Sequence, residues 1–234
     1  MYHKTKEFMK PSKRMKEARG KVDAAKTYSL ADAVAIIKET SKVKFDASVE
    51  VHVNLGIDAK KGDQLVRSVV SLPHGSGKTV RVAAFVPDDK AEKAKAAGAD
   101  LVGSAELIEE IKKTEKCDFD VAVATPDMMK NLAAIARILG QKGLMPNPKT
   151  GTIAPDVTKL IGELKRGKVA YKNDSSGTVH VACGKVSFPS ENLVANIEAL
   201  IESLKKAKPE GIKGIFFKSA YLTSTMGPSV KISI

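Results

Sequence analysis

Cysteine is rare in this sequence, and long apolar runs are absent from it. The two cysteines, Cys117 and Cys183, lie far apart and form no Cys-x-x-Cys pair, so neither a zinc ribbon nor a disulfide framework is predicted. No run of about 18 apolar residues occurs, and residues 1–26 lack the apolar segment of a secretion signal. We therefore expect a protein of the reducing cytoplasm that has no membrane partner.

Groups of side chains that could hold a metal or perform catalysis are also lacking. The histidines are scattered without carboxylates at ligand spacing; they are His3, His52, His74 and His180. On a strand, His180 and Cys183 would point to opposite faces, because they are three residues apart. No nucleophile and base pair is in view, so we expect no metal, no cofactor, no small-molecule substrate and no enzymatic activity.

Positive charge is what the sequence has in excess. Lysine and arginine number 39 against 27 aspartate and glutamate residues, a formal net charge of +12. Such a surplus favours a polyanionic partner, either nucleic acid or an anionic surface. Basic residues outnumber acidic ones by 15 to 9 in residues 1–75, by 15 to 13 in residues 76–167 and by 9 to 5 in residues 168–234. The two ends therefore carry most of the excess.

The first third of the chain begins with a basic arm. Residues 1–26 contain many cations without a clear period, and we expect a mobile N-terminal arm there. A helix is predicted from the N-cap Ser29 to about Thr40. Residues 48–55 alternate between apolar and polar, which predicts a half-buried strand, and residues 64–72 form a second candidate strand.

The middle of the chain alternates between strands and helices. Strands are predicted at residues 80–86, 101–103 and 119–124. Helices are predicted at residues 88–97, from Ser104, from Pro126 to Gly140 and from Asp156 to Gly167. This order is typical of a parallel, doubly wound sheet with helices on both faces.

The last third returns to antiparallel patterns. Residues 169–172 and 178–188 form a candidate hairpin around the turn at 173–177, and a helix is predicted from Ser190 to about Ala207. Strands near 215–223 and 229–234 follow. We therefore predict α/β and α+β architecture in two domains, in which residues 1–75 and 168–234 form a split α+β domain and residues 76–167 form an inserted α/β domain.

The loop Gly75-Ser76-Gly77-Lys78-Thr79 offers an alternative function. Its Gly-Lys-Thr sequence resembles part of a phosphate-binding loop, which would make the chain a nucleotide-binding α/β enzyme. However, Leu72 stands where the motif needs its first glycine, and a strand follows where a helix N-terminus would hold the phosphate. A glycine-rich hinge between domains is the favoured interpretation.

Six separated motifs resemble one known family. They are Lys44-Phe45-Asp46, Leu55-Gly56-Ile57-Asp58, Leu72-Pro73-His74-Gly75, Ala124-Thr125-Pro126-Asp127, Gly143-Leu144-Met145-Pro146-Asn147-Pro148-Lys149 and Thr225-Met226-Gly227-Pro228. In this order, from about residue 20 to the C-terminus, they are similar to the family of ribosomal protein one of the bacterial large subunit. Only the basic arm lies outside the resemblance.

The resemblance implies both a fold and a function. It implies a split domain that grips large-subunit ribosomal RNA, a Rossmann-like inserted domain, and a protein that is monomeric off the ribosome. It also implies a mobile stalk that assists release of deacylated tRNA from the exit site, and repression of translation through binding to the messenger of the protein's own operon.

The RNA contacts that the resemblance implies come from both ends of the chain: Lys44, Phe45, Ser48, Asp174, Gly177, Ser219, Thr225, Met226 and Gly227. Short hydroxyls, glycine backbone and a few apolar side chains suit structured RNA, which is recognised through shape, 2′-hydroxyls and phosphates. The chain departs from the family at Ser175, where a lysine is usual. A phosphate contact is therefore missing there or is supplied by Lys172.

Overall fold

A computed structural model describes residues 11–212 and 214–234 of the chain, so that the first ten residues of the predicted arm lie outside the described residues. Helices and several sheets are mixed, which confirms the predicted α/β class. Within the described residues, no helix combines the length and the apolar character that crossing a membrane requires.

The strands belong to three sheets. In chain order they are β1 (Ser48–Leu55), β2 (Arg67–Ser71), β3 (Val82–Phe85), β4 (Leu101–Gly103), β5 (Val121–Ala124), β6 (Lys168–Lys172), β7 (Thr178–Lys185), β8 (Phe217–Ser224) and β9 (Ser229–Ile232). The sheets have the orders β7-β1-β8-β9, β2-β6 and β4-β3-β5. The first two are antiparallel and the third is parallel.

The helices connect and cover these sheets. They are α1 (Lys13–Gly20), α2 (Leu30–Thr40), α3 (Asp88–Ala96), α4 (Ala105–Thr114), α5 (Met129–Leu132), α6 (Ala136–Gln141), α7 (Val157–Lys165) and α8 (Ser190–Lys206). Single 3-10 turns lie at Pro126–Met128, Ala133–Ile135 and Pro148–Thr150. As predicted, Ser29 caps α2 by accepting a hydrogen bond from the backbone N–H of Asp32.

The four-stranded sheet has one buried and one open face. Side chains of β1 alternate strictly between buried and partly exposed, as the period of the sequence predicted. The buried face packs against α2 and α8, and the apolar stripe of α8 closes the core with Leu193, Ile197, Leu200, Ile201 and Leu204. The opposite face presents polar side chains, and none of the helices among the described residues packs over it.

The predicted hairpin of residues 169–172 and 178–188 is wrong. Strand β6 pairs with β2, whereas β7 pairs with β1, so the two consecutive strands join different sheets. The predicted turn itself is present, and it is closed by the isolated bridge from Asn173 to Val179 and by the bond from the Asp174 N–H to the Thr178 carbonyl. The side chain of Asn173 accepts a hydrogen bond from the backbone N–H of Val66 at 2.8 Å, which ties the end of β6 to the segment that leads into β2.

The parallel sheet carries helices on both faces, as predicted. One apolar cluster includes Phe85, Ile108 and Leu132, and the other includes Val82, Val123 and Ile161. The single helix predicted from Pro126 to Gly140 is wrong, because short α and 3-10 segments replace it. Ile135 leaves helical geometry at φ −114° and ψ 9° while its side chain is fully buried, so core packing takes precedence over helix continuity.

Part of the basic arm is structured, which corrects the prediction of a mobile segment without regular structure. Ser12 caps α1 by accepting from the backbone N–H of Met15, and Ala18 is buried. Val22 packs against the core beneath the four-stranded sheet. The sequence did not reveal this helix because its residues are mostly charged, with cations at Lys13, Arg14, Lys16 and Arg19.

Asn196 is a fully buried polar side chain that joins three segments. Its side-chain oxygen accepts from the backbone N–H of His74 at 3.1 Å, and its amide donates to the carbonyl oxygens of Gly75 at 2.9 Å and Cys183 at 2.7 Å. Through it, α8 holds both β7 and the segment that leaves β2. A buried amide with three partners fixes this crossing because each group would be costly to leave unpaired.

We expect Asn196→Ala to lower the free energy of unfolding by about 3 kcal/mol, since buried backbone groups lose their partners and a cavity forms. Denaturant titration measures the loss. Glu198→Ala, at an exposed position of the same helix, is the matched control and should change stability by less than about 0.5 kcal/mol. Equal stabilities of the two variants would contradict the role of Asn196.

Candidate nucleic-acid interface

The open face of the four-stranded sheet is a polar surface about 20 Å long, from the rise of some 3.3 Å per residue between Ser48 and Asn54. Its side chains come from alternate positions of neighbouring strands: Ser48, Glu50, His52, Asn54, Thr178, His180, Ser219, Tyr221 and Thr223. The strand register places Ser219 and Thr178 on either side of Asn54. We call this surface the open face.

One end of the open face gathers the implied contacts from the loop before β1 and from the β8–β9 turn. Phe45 is 53% exposed, and Lys44 beside it is also exposed. Asp46 fixes this loop, because its carboxylate accepts from the backbone N–H and the hydroxyl of Ser187 at 3.2 and 2.8 Å. Phe45 is therefore held on the surface and is not a core residue.

Ser48 and Thr225 connect this loop to the turn. The backbone N–H of Ser48 donates to the Thr225 hydroxyl at 3.1 Å, and the Thr225 backbone N–H donates to the Ser48 carbonyl at 3.0 Å. The Ser48 hydroxyl accepts from the Lys185 ammonium at 2.9 Å. Thr225 thus positions the turn, and Lys185 is a cation at this end that the sequence did not single out.

Met226 sits at the tip of the turn in a conformation that is rare for its type. Its φ is +63°, and its side chain is 65% exposed. Arg14 donates from its guanidinium to the Met226 carbonyl at 3.1 Å, so that α1 supports the turn. At the next position, a β-carbon on Gly227 would lie 2.2 Å from the Ser224 hydroxyl, so any side chain there would require that hydroxyl to move. The backbone geometry therefore directs an apolar side chain into solvent.

The other end of the open face carries Asp174, Gly177 and Ser219. The Asp174 carboxylate accepts from the backbone N–H groups of Ser176 at 2.9 Å and Thr178 at 2.7 Å. The Thr178 bond holds the pKa of Asp174 below its usual value. Gly177 is buried with φ +78°, and its carbonyl accepts from the backbone N–H of Leu55 at 3.0 Å. These two residues shape the turn, and Ser219 lies half-buried beside it.

The middle of the open face holds a pair of histidines, although the sequence pattern placed them in no cluster. His52 and His180 face each other across β1 and β7, with their Nδ1 atoms 2.7 Å apart. Burial, followed by the charge of His180, lowers the pKa of His52, while Glu50 opposes this shift. Tyr221 stands on the other side of His52. The proximity of His52 and His180 follows from the pairing register of β1 and β7, which could not be predicted from the sequence.

Lys172 lies at the edge of this surface and not on it. It lines a cleft of about 680 Å³ between the two-stranded sheet and residues 143–152, together with Arg67, Lys168 and Lys185. The cleft reaches Ser48, so it is continuous with one end of the open face. Ser175, at the exposed tip of the turn after β6, brings no charge.

The loop Gly75–Thr79 lacks the surroundings of a phosphate-binding loop. It leads into β3 and not into a helix, and Gly75 and Gly77 both have φ +69°. The Lys78 ammonium forms an ion pair with Asp120 at 2.7 Å. Because a strand follows where a helix N-terminus would hold the phosphate, the geometry favours the connecting role predicted for this loop.

Potential catalytic and metal-binding chemistry is sparse in the described part of the chain. Burial raises the pKa of the Cys183 thiol to about 12, which makes it a core residue and a poor nucleophile. As expected, its side chain points away from the face that carries His180. Residues 11–212 and 214–234 contain no group of three or more metal-ligating side chains. The arrangement suits binding through hydrogen bonds, shape and charge.

Comparison with known proteins gives the same assignment. Residues 37–228 match the model of the ribosomal protein L1p/L10e family. The large ribosomal subunit protein uL1 of Macrococcus caseolyticus is 53% identical to this chain over 223 residues, which cover 95% of this chain and 96% of the relative. The protein of the same name in Deinococcus radiodurans is 51% identical over 226 residues, which cover 96% of this chain and 97% of the relative. The relative in Methylobacillus flagellatus is 50% identical over 221 residues, with coverage of 94% and 96%.

These matches overturn the alternative of a nucleotide-binding enzyme, since they extend over the loop Gly75–Thr79 and identify a non-enzymatic family. They agree with the motifs from Lys44 to Pro228 and with the basic composition. The chain belongs to the ribosomal protein L1p/L10e family and is a structural constituent of the large subunit of the cytoplasmic ribosome, where it binds large-subunit ribosomal RNA.

Proposed function

We propose that the open face and its two end turns are the surface that binds ribosomal RNA. The observation that carries this proposal is the outward position of Phe45 and Met226 at one end, where two large apolar side chains are held in solvent by fixed backbone. Single exposed apolar residues are common, but two that share one end of a surface through the bonded pair Ser48 and Thr225 indicate an interaction site. The implied contacts Lys44, Ser48, Asp174, Gly177, Ser219, Thr225 and Gly227 lie beside them or at the other end of the face.

The chemistry of this surface suits double-helical or folded RNA. A-form RNA displays 2′-hydroxyls and base edges in a wide, shallow minor groove, which a flat sheet face of hydroxyl and amide side chains can approach. Asp174 can accept from a 2′-hydroxyl or a base amino group but repels phosphate. Phosphate contacts therefore fall to Lys44, Lys172 and Lys185 at the margins.

We further propose that residues 1–75 and 168–234 form one domain, with residues 76–167 inserted. In support, Ser71 pairs with Lys168 across β2 and β6, so the chain leaves and re-enters this region at one place. A β-carbon on Gly167 would lie 2.5 Å from the Cα of Gly75, which means that the two connections touch. Of the net charge of +12, only +2 falls within the insert.

We also propose the finer roles that the family resemblance implies. In these, the chain forms a mobile stalk that assists release of deacylated tRNA from the exit site, and it represses translation by binding its own operon messenger. One RNA face supports both RNA targets if the messenger copies the fold of the ribosomal site. The protein would act as a monomer off the ribosome in this regulatory role.

Alanine at Phe45 or Met226 should weaken binding to the cognate ribosomal RNA fragment by roughly tenfold, about 1.4 kcal/mol, because apolar contact with RNA is lost. The free energy of unfolding should change by less than about 0.5 kcal/mol, since both side chains are exposed. Filter binding and denaturant titration measure the two quantities.

Two controls separate binding from folding in this experiment. Ile234→Ala removes another exposed apolar side chain away from the β8–β9 turn and should leave RNA affinity unchanged. Leu222→Ala, in the core of β8, should cost about 2–5 kcal/mol of stability. If Phe45→Ala or Met226→Ala behaves like Leu222→Ala, that residue is a packing residue and is removed from the proposed face.

Ser175→Lys should restore the phosphate contact that the turn after β6 lacks. A lysine that neutralises one phosphate releases counterion, so the log–log salt dependence of RNA binding should steepen by roughly 0.7–0.9 and affinity at low salt should rise. Ala31→Lys adds the same charge at an exposed position of α2, on the other side of the sheet, and should leave the slope unchanged.

Lys172 is the competing source of that contact, so Ser175→Lys is also measured in a Lys172→Ala background. A restored slope only in that background would assign the phosphate to Lys172 in the natural chain. An unchanged slope in both backgrounds would remove Asp174 and Gly177 from the proposed face.

Competition between RNAs tests the regulatory role. An unlabelled fragment of the operon messenger should displace the labelled ribosomal RNA fragment, and Met226→Ala should weaken both complexes by the same factor, because one face binds both. Displacement with different sensitivity to Met226→Ala would indicate two RNA surfaces. Absence of displacement would remove the messenger from the proposal while leaving the ribosomal RNA face untouched.

A further inference from the structure

The histidine pair on the open face has an unusual arrangement of its four ring nitrogens. His52 and His180 occupy opposing positions of β1 and β7, and their Nδ1 atoms are 2.7 Å apart. Their Nε2 atoms point away from each other toward carboxylates. The Nε2 of His52 lies 3.8 Å from Glu50, and the Nε2 of His180 lies 3.6 Å from Asp174.

The carboxylates affect where the ring protons reside. A neutral imidazole carries one N–H, and a nearby carboxylate favours that proton on the nitrogen that faces it. Glu50 and Asp174 therefore both favour N–H at Nε2. In that tautomer the two Nδ1 lone pairs face each other at 2.7 Å, so either a shared proton or a metal ion is needed between them.

We propose that His52 and His180 form a binding site for a borderline divalent metal ion of the zinc class, coordinated by the two Nδ1 atoms. Imidazole nitrogen suits zinc, copper and nickel, whereas magnesium and calcium prefer oxygen ligands. A histidine that binds metal through one nitrogen commonly donates its other N–H to a carboxylate. Glu50 and Asp174 face the Nε2 atoms of the two rings at 3.8 and 3.6 Å, and a shift of about half an ångström would bring them within hydrogen-bond distance.

The geometry needs only a small adjustment to accept the ion. Zinc–nitrogen bonds of about 2.0–2.1 Å at a tetrahedral angle place the two nitrogens roughly 3.3 Å apart. The rings must therefore separate by about 0.6 Å from their present 2.7 Å. Both rings are on the sheet surface, with 26% and 51% of their side-chain areas exposed for His52 and His180, so rotation about their side-chain bonds can supply this movement.

The surroundings hold Asp174 in place beside the His180 ring, and they leave the remaining coordination positions of the metal ion open to solvent. Asp174 is immobilised by two backbone hydrogen bonds through its other oxygen, which holds the ring-facing oxygen in place. The described residues add no third ligand, so water or another oxygen from solution completes the sphere. Affinity should accordingly be lower than that of structural sites with four protein ligands.

Isothermal titration of the full chain with zinc chloride tests the site. The protein used in this titration has the substitution His3→Ala, so that the N-terminal histidine cannot bind zinc. We expect one zinc ion per chain, and a loss of at least tenfold in affinity for His52→Ala and for His180→Ala. His74→Ala removes an exposed histidine away from the sheet face and is the matched control that should retain full affinity.

Two further measurements make the result independent of folding. Glu50→Gln keeps the size of the side chain but loses its charge, and it should weaken zinc binding several-fold through ring positioning. In NMR spectra, zinc should shift the ring protons of His52 and His180 and leave those of His74 in place. Absence of zinc binding, or equal affinity in the His52→Ala, His180→Ala and His74→Ala variants, would overturn the proposal.

Discussion

Strand β1 is the element on which the arrangement of the open face depends. It pairs with β7 along one edge and with β8 along the other, and both of these strands come from the last quarter of the chain. Its inward side chains build the core, while its outward side chains form the central row of the polar surface. A shift of one residue in its register would exchange the two sets, so the buried valines of β1 also fix which polar groups face outward.

The surface is rigid because backbone and side-chain bonds hold each of its ends. Thr225 and Ser48 exchange backbone and hydroxyl bonds, Asp46 anchors the loop of Phe45, and Asp174 closes the opposite turn. The backbone that carries the exposed apolar side chains therefore loses little conformational freedom when a ligand covers them. A pre-organised surface of this kind spends less binding energy on ordering itself.

The sequence predicted the elements better than their partners. Alternation identified β1, and the apolar stripe identified α8 almost to the residue, because burial of one face imposes a local period. The partners of β6 and β7 escaped prediction, since a turn signal at residues 173–177 does not reveal that the two strands diverge into separate sheets. The broken helix after Pro126 and the docked helix α1 likewise depend on a few distant core contacts.

The motifs of the sequence supplied candidate site residues whose RNA contacts stay predictions. The family motifs pointed to Phe45 and Met226, and the structure places both in solvent. Lys185 and the pair His52 and His180 were not predictable, because their significance arises from cross-strand neighbours over 120 residues away in sequence. The contact of Arg14 with the β8–β9 turn was not predictable for the same reason, because its partner Met226 lies 212 residues away in the sequence.

Tyr28 forms a short parallel bridge with Ile232, in which its N–H donates to the Lys231 carbonyl and its carbonyl accepts from the Ser233 N–H. This contact occupies the Lys231 carbonyl and the Ser233 N–H on the outer side of β9, which is the last strand of its sheet. An unprotected sheet edge is a template for strands of other molecules. The segment between α1 and α2 therefore covers part of this edge and leaves fewer of its backbone groups free to pair with a strand of another molecule.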